Sequence, residues 1–493
     1  MIQSTHLAID LGAESGRALL GTFNGEVLDI IEIHRFQTGI LNLSGGRHWN
    51  IYRFYEEILF AIGKARQISK NPLTTIGIDT WGVDYAIVNE DGFISGLPFS
   101  YRDNRTINTV EAVSRIVDLR RIYDLTGVQI LPFNTLFQLF AAKNGSPNTL
   151  AKGSSLLFIP DILNYFLTGI KTTEFTFATT SQLFNPMKMT WENELLALAG
   201  IESTDMQQIV QPCTIIGRLN KTSTNQNSFA ETLVIAPATH DTASSIAAIP
   251  ATGSDWAYIS TGTWALVGVE TKKPIINDLT FRYNITNEGG IEGFRLLKNM
   301  MGLWLLQGCR KVWDENKYTY EMLMLMAKEA PQFSYYINPD HTSFFNPPDM
   351  PEAIMNYCRV TGQQPPNNKA AMIRGILECL ALKTRVILEQ ISEATSVQIN
   401  KIYITGGGIN NMLLCKFIAD ATGLPVIPTF VESTAMGNLL GQLIACSKIK
   451  NLDEGRALLR KHMDTLVYFP ENNDVWNTAF EKFKEITNKE FSQ

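Results

Sequence analysis

The chain has 493 residues, 45% hydrophobic and 18% charged, and its 42 Lys plus Arg against 48 Asp plus Glu leave a net charge of −6. That composition excludes a disordered chain, and that length is enough for about two to four domains with full apolar cores. The acidic balance argues against a nucleic-acid coat, so an anionic ligand must be held by local groups. Cysteines at 213, 309, 358, 379, 415 and 446 form no CxxC pair, which argues against structural zinc and fits thiols in a reducing compartment. The opening MIQSTHLAID lacks a basic-then-apolar leader, and no apolar run reaches the ~18–20 residues of a membrane span. The expectation is a cytoplasmic protein, monomer or homodimer, with neither nucleic acid nor membrane as partner.

In chain order, residues 6–11 read as an apolar strand, residues 12–16 as a Gly-rich turn and residues 18–23 as a second strand. Asn24-Gly25 is a hairpin signal, and residues 26–34 read as a third strand. Residues 50–69 carry helical spacing. The opening grammar returns at mid-chain: strand 256–259, a turn Ser260-Thr261-Gly262-Thr263, strand 264–269. The turn glycines Gly12 and Gly262 lie 250 residues apart, and a breaker-rich linker, 249–254, separates the halves. Two domains are expected, 1–249 and 250–493, each opening on a hairpin whose turn allows close approach. Further on, residues 367–393 read as a long helix with Ile373, Ile376, Leu377, Leu380 and Ala381 on one face. Strand 401–404, the turn Gly406-Gly407-Gly408, helix 410–422, a stop at Gly423 and strand 424–427 follow. Glycines at the carboxyl end of a strand are where open α/β sheets bind ligands.

Four segments carry chemistry. Asp10-Leu11-Gly12-Ala13-Glu14-Ser15-Gly16-Arg17 offers inward backbone amides, a hydroxyl and a guanidinium for an anion. Asp10, at a strand end, is placed to hold Mg²⁺ directly or through water. No Walker loop and no G-x-G-x-x-G occurs. Asp79-Thr80-Trp81-Gly82-Val83-Asp84 brings two carboxylates, an aromatic face and a glycine together, the equipment that holds a sugar. Core filling is the plainer reading for Trp81. Pro237-Ala238-Thr239-His240-Asp241-Thr242 follows an apolar strand; by spacing alone Asp241 is a helix N-cap, and by chemistry it is a general base for a hydroxyl. Residues 297–304 lead into a helix carrying Gln307, and on one continuous helix Asn299 and Gln307, eight positions apart, would share a face.

Taken together, DLGAESGR, IGIDTWGVDYA, GLPFSYRD, LPFNTLFQL, ATHDTASS, ISTGTW, ITNEGG, LKNMMGLWLLQ and ITGGG resemble, in order and over nearly the whole chain, the FGGY carbohydrate kinases. TWGVD, HDTAS and KNMMGLWLLQ separate the chain from the glycerol and xylulose branches of that family. The resemblance implies an α/β fold of two ribonuclease-H-like, actin-like ATPase domains with a cleft between them. It implies an N-terminal domain with the sugar site and first phosphate loop, and a C-terminal nucleotide domain. It also implies ATP- and Mg²⁺-dependent transfer of a γ-phosphate to the 1-hydroxyl of L-rhamnulose, with L-fuculose as the alternative ketose. Residue by residue, Ala13, Glu14, Ser15, Gly16 and Arg17 match a phosphate loop. Gly82, His240, Asp241, Thr242 and Asn299 match sugar contacts, with Asp241 as proton acceptor. Thr263, Gln307 and Gly407 match nucleotide contacts. Glu14 departs from the family's small or hydroxyl residues, so its side chain must point away from phosphates. The rivals are an actin-like ATPase switch, which needs no base at 241, and a silent sugar sensor, which would lack the base or the loop.

Overall fold

A strand buried along its whole length needs cover on both faces and partners on both edges, and Ser4–Leu11 is such a strand. The computed structural model, which describes residues 3–43, 45–145, 153–220, 231–463 and 466–489, supplies both. Two units are distinguished. The first comprises Met1–Pro250, Glu270–Leu296 and Glu432–His462; the second comprises Ala251–Val269, Leu297–Val431 and Met463–Gln493.

In the first unit Ser4–Leu11 pairs antiparallel with Ser15–Phe23, which pairs antiparallel with Leu28–Gln37. The Asn24-Gly25 turn forms as expected: Asn24 Oδ1 accepts from the amides of Glu26 and Val27 at 2.9 Å each, and Gly25 takes φ 101°. Those bonds hold residues 24–27 in the turn, so the third strand starts at Leu28. Asn50 caps the helix Ile51–Ile68 by accepting from the Arg53 amide at 3.1 Å, and Phe54, Ile58, Ala61 and Ala65 bury its apolar face. The chain then returns as Leu73–Thr80, parallel to Ser4–Leu11, and later as Leu233–Ala236, parallel to Leu73–Thr80. The sheet order is Thr214–Arg218, Leu233–Ala236, Leu73–Thr80, Ser4–Leu11, Ser15–Phe23, Leu28–Gln37. The helix Ser433–Ala445 packs on the helix Asp241–Ala247. A Cβ at Gly437 would stand 1.7 Å from the Ser244 carbonyl oxygen, so only glycine permits that approach.

The second sheet runs Thr286–Gly290, Gly293–Met301, Trp264–Thr271, Trp256–Thr261, Lys401–Thr405, Val426–Pro428. Its core repeats the first: an antiparallel hairpin whose first strand has a parallel neighbour, which in turn has another. The half-chain repeat read from the turn glycines is therefore a repeat of topology. Asn368 caps the helix Lys369–Thr395, which buries Ile373, Ile376, Leu377, Leu380 and Ala381 as expected. Gly423, at φ 70°, ends Met412–Thr422.

One expectation is corrected. Residues 298–301 lie on the strand Gly293–Met301, and the helix begins only at Trp304, so Asn299 and Gln307 share no helix face. Lys, Leu and Met favour helix in isolation, but pairing within the sheet overrides that preference. Among the described residues, no helix is long and apolar enough to cross a membrane.

Candidate active site

Strand register alone brings the first charged groups together. Asp10, one residue from the end of its strand, faces Arg17 across the antiparallel pair and Asp79 across the parallel pair. Arg17 Nε lies 2.9 Å from Asp10 Oδ2, and its Nη1 is held by Glu432, which opens the return of the chain to the first unit. Asp79 Oδ2 accepts from Asn438 Nδ2 at 2.6 Å, while its buried Oδ1 has no hydrogen-bond partner among the described residues. Burial first, with Asp241 and Glu432 adding to it and Arg17 opposing, pushes Asp10 up to about 6. Burial, then the Asp10 charge, lifts Asp79 well above the ordinary carboxylate value.

The loop that carries Asp241 is pinned from below. Glu174 Oε2 accepts from the Thr239 amide at 3.1 Å and its hydroxyl at 2.7 Å, and the Thr80 amide donates to the Thr239 carbonyl at 2.9 Å. His240 takes the cap position, and Asp241 is the first residue of the helix Asp241–Ala247. The N-cap reading of Asp241 is thus displaced by one residue. Its Oδ1 instead accepts from the Thr242 amide at 2.5 Å and the Thr242 hydroxyl at 3.0 Å. Burial raises the Asp241 pKa, and His240 and the Thr242 bonds only partly offset it. The Asp241 side chain keeps 27% exposure against 4% for Asp10, so it is the one of the two that a substrate can touch.

The 79–84 segment divides. Asp84 Oδ2 accepts from Trp49 Nε1 at 2.6 Å, Trp81 Nε1 at 2.9 Å and the Tyr101 amide at 3.1 Å, and Oδ1 from Gln138 Nε2 at 2.8 Å. A carboxylate so occupied is a structural hub, not a free sugar acceptor. Trp81 packs on Trp49 with ring centroids 4.2 Å apart, the core role expected of it. Gly82 is different: a Cβ there would lie 3.2 Å from His240 Nε2. Val83 beside it holds φ 67°, a strained position for a β-branched residue and one that marks functional loops.

The phosphate-loop candidates lie at the first hairpin turn, where the Gly12 amide donates to the Ser15 carbonyl at 3.0 Å and Thr38 Oγ1 donates to the Gly12 carbonyl at 2.8 Å. Glu14 is turned outward, 58% exposed, with Arg102 Nη2 3.7 Å away. In the second unit, the matching turn gathers three more. The Thr263 carbonyl accepts from the amides of Gly302 and Trp304 at 3.0 and 3.2 Å, which ties it to the helix of Gln307. A Cβ at Gly408 would meet Thr261 Oγ1 at 1.8 Å, whereas one at Gly407 would meet nothing within 4 Å. Gln307 keeps a buried Oε1 without a hydrogen-bond partner among the described residues. Asn299 lies apart from that helix, on its strand.

Four participants carried no readable signal: Glu432 and Asn438, which reach Arg17 and Asp79, and Glu288 and Arg295, which reach His240. The ITNEGG segment contains Glu288 but gives no hint of its partner.

The donor set fits Mg²⁺ in one respect. Asp10 and Asp79 are buried carboxylates with raised pKa values, the Asp10 charge adding to the rise of Asp79, and Asp79 Oδ1 has no partner among the described residues. Among the described residues no group of three His, Cys, Asp or Glu could hold a metal ion alone.

Comparison with known proteins gives the family. Residues 5–248 match the N-terminal domain, and residues 257–446 the C-terminal domain, of the FGGY family of carbohydrate kinases. A rhamnulokinase of Bacteroides thetaiotaomicron is 38% identical over 98% of this chain and 99% of its own. One from Bacillus subtilis is 35% identical over 99% and 100%. A ligand-bound xylulose kinase from Lactobacillus acidophilus superposes with TM-score 0.82 at 17% identity, covering 99% of this chain and 98% of its own. A gluconate kinase from the same organism gives 0.81 at 17% identity over the same shares. With both family domains matched and each half built on the same hairpin-led sheet, the chain belongs to the FGGY family of carbohydrate kinases.

Proposed function

We propose that the chain transfers the γ-phosphate of ATP to the 1-hydroxyl of L-rhamnulose, giving L-rhamnulose 1-phosphate and ADP. Asp241 carries the reading: it is a raised, partly exposed carboxylate at a loop fixed by Glu174, next to His240, whose Nε2 faces Gly82. The relatives named rhamnulokinase supply the acceptor's identity. In the transfer, the sugar O1 forms a bond to the γ-phosphorus as the bond to the β–γ bridging oxygen breaks. The O1 proton passes to the Asp241 carboxylate, and ADP leaves. His240, Thr242, Gly82 and Asn299 contact the sugar. Residues 13–17, Thr263, Gln307 and Gly407 face the nucleotide. Asp10, with Asp79 beside it, would hold Mg²⁺, whose charge offsets that of the phosphates when bound. In this reading an N-terminal domain, 1–249, carries most of the sugar site and the first phosphate loop, and a C-terminal domain, 250–493, carries the other nucleotide contacts and Asn299. The six free thiols favour a cytoplasmic setting.

The test is ADP release over L-rhamnulose, L-fuculose, D-xylulose, L-ribulose and glycerol. L-Rhamnulose should give the highest kcat/KM. A methyl group is worth only about 1–3 kcal/mol in a pocket, so related ketoses should react slowly rather than not at all. Preference for glycerol or D-xylulose would overturn the assignment, and sugar-independent ATP hydrolysis with polymerisation would favour a switch.

A further inference from the structure

Behind His240 stands a polar group that packing alone does not explain. Arg295 is 1% exposed and among the largest fully buried side chains of the molecule. A buried guanidinium is destabilising unless its donors are matched, and an apolar residue of its size would serve the core as well. Its Nε donates to the Gly289 carbonyl at 2.9 Å, and its Nη2 lies 3.0 Å from Glu288 Oε2 and 3.1 Å from His240 Nδ1. Glu288 is itself buried.

A guanidinium has only donors to offer, so Nδ1 of His240 is the acceptor of that bond and the ring proton belongs on Nε2. His240 Nε2 faces Asp241 Oδ1 at 3.5 Å and the open side of Gly82. The backbone amide of His240 donates to Thr176 Oγ1 at 3.2 Å, so the ring is fixed at its base as well as at Nδ1.

We propose that Arg295, oriented by Glu288, is a positioning residue for phosphoryl transfer: by donating to Nδ1 it holds His240 as the Nε2–H tautomer, with that proton aimed at Asp241 and the sugar beside Gly82. This rests on Asp241 as the base. Glu288 Oε2 also lies 3.4 Å from Nδ1, and acceptance by Glu288 of an Nδ1 proton would give the opposite tautomer. The two arrangements are separable by experiment.

The unmodified protein is labelled with ¹⁵N-histidine, and the signals of residue 240 are assigned by their loss in His240→Gln. Long-range ¹H–¹⁵N correlation at neutral pH should show Nε2–H. An Nδ1–H tautomer overturns the proposal, and this readout needs no core variant to fold. Glu288→Ala and Arg295→Gln should lower kcat by about 10–100-fold, as loss of the partner does for metal-ligating histidines, with the KM for ATP nearly unchanged. Glu288→Gln keeps an acceptor for Arg295 and should restore most of the lost kcat. A purely structural role would lower the melting temperature and leave kcat per folded molecule intact, which also overturns the proposal. Asp241→Asn is assayed alongside. Near-native turnover there removes the base reading itself; lost turnover there, with native kcat in folded Glu288→Ala and Arg295→Gln, removes only the positioning role.

Discussion

Asp10 and Asp79 stand at matching positions on neighbouring parallel strands, both carboxylates buried and both raised, and the Asp10 charge adds to the rise of Asp79. Among the described residues only Asn438 hydrogen-bonds the Asp79 carboxylate, and it does so through Oδ2 alone. Two like charges so placed oppose folding unless a cation joins them, which makes the pair a functional cost rather than a support.

Asp79→Asn should therefore stabilise the ligand-free protein. A carboxyl whose folded pKa is raised costs nothing below its unfolded value, near 4, and an increasing amount as pH rises from there toward the folded value. The melting temperature of Asp79→Asn should exceed that of the native protein at neutral pH and converge with it near pH 4. The same variant should need more Mg²⁺ for half-maximal turnover. A lower melting temperature at neutral pH would contradict the account.

Raised carboxylates also set a pH profile. The base must be ionised, so kcat/KM rises with pH until Asp241 has lost its proton. Burial raises that pKa and its neighbours only partly offset it. The acid limb should then lie above the ordinary carboxylate value of about 4. A limb at or below that value would show that Asp241 meets water more freely than its surroundings allow.

Much of this was legible in the sequence, for physical reasons. The hairpins were readable because alternation and Asn24-Gly25 are local signals, Asp10 because it closes an apolar strand, and Asp241 because it follows one across a short loop. The partners were not. Asn438 meets Asp79 across 359 residues, and Arg295 meets His240 across 55, distances at which no spacing rule operates. Asp84 misled because its type and place suit a sugar ligand, whereas Trp49, Trp81 and Gln138 occupy its oxygens. Asn299 misled because the helical propensity of its neighbours yielded to sheet pairing.

The triple-glycine turn offers a contrast between adjacent residues. Gly407 has open space where a Cβ would go, while at Gly408 a Cβ would strike Thr261 Oγ1. Gly407→Val should fold normally and raise the KM for ATP, leaving that for the sugar unchanged. Gly408→Ala must displace Thr261, whose hydroxyl donates to the Thr405 carbonyl at 3.1 Å, and should cost about 1–3 kcal/mol of stability. Calorimetry and ATP titration of both variants check the contrast. A rise confined to the sugar KM in Gly407→Val would show that the turn does not face the nucleotide.

Asp241→Asn separates the chemical role of that carboxylate from its local one. The amide keeps the size and one acceptor oxygen, so it can still accept from the amide and hydroxyl of Thr242. It also removes a partly buried charge, so the melting temperature should hold or rise. What it loses is the ability to take a proton. If Asp241 is the base, kcat should fall by about 10²–10⁴, the usual share of general base catalysis. ATP affinity should stay close to native, because Thr263, Gln307 and Gly407 belong to other segments. The three quantities, kcat, ATP affinity and melting temperature, are measured on one preparation. A helix-start residue with no chemical role predicts all three unchanged, since Asn serves at a helix start about as well as Asp. Near-native turnover would remove Asp241 as the base. Asp84 could not replace it, with four donors already on its oxygens, and the next carboxylates to examine would be Asp10 and Asp79.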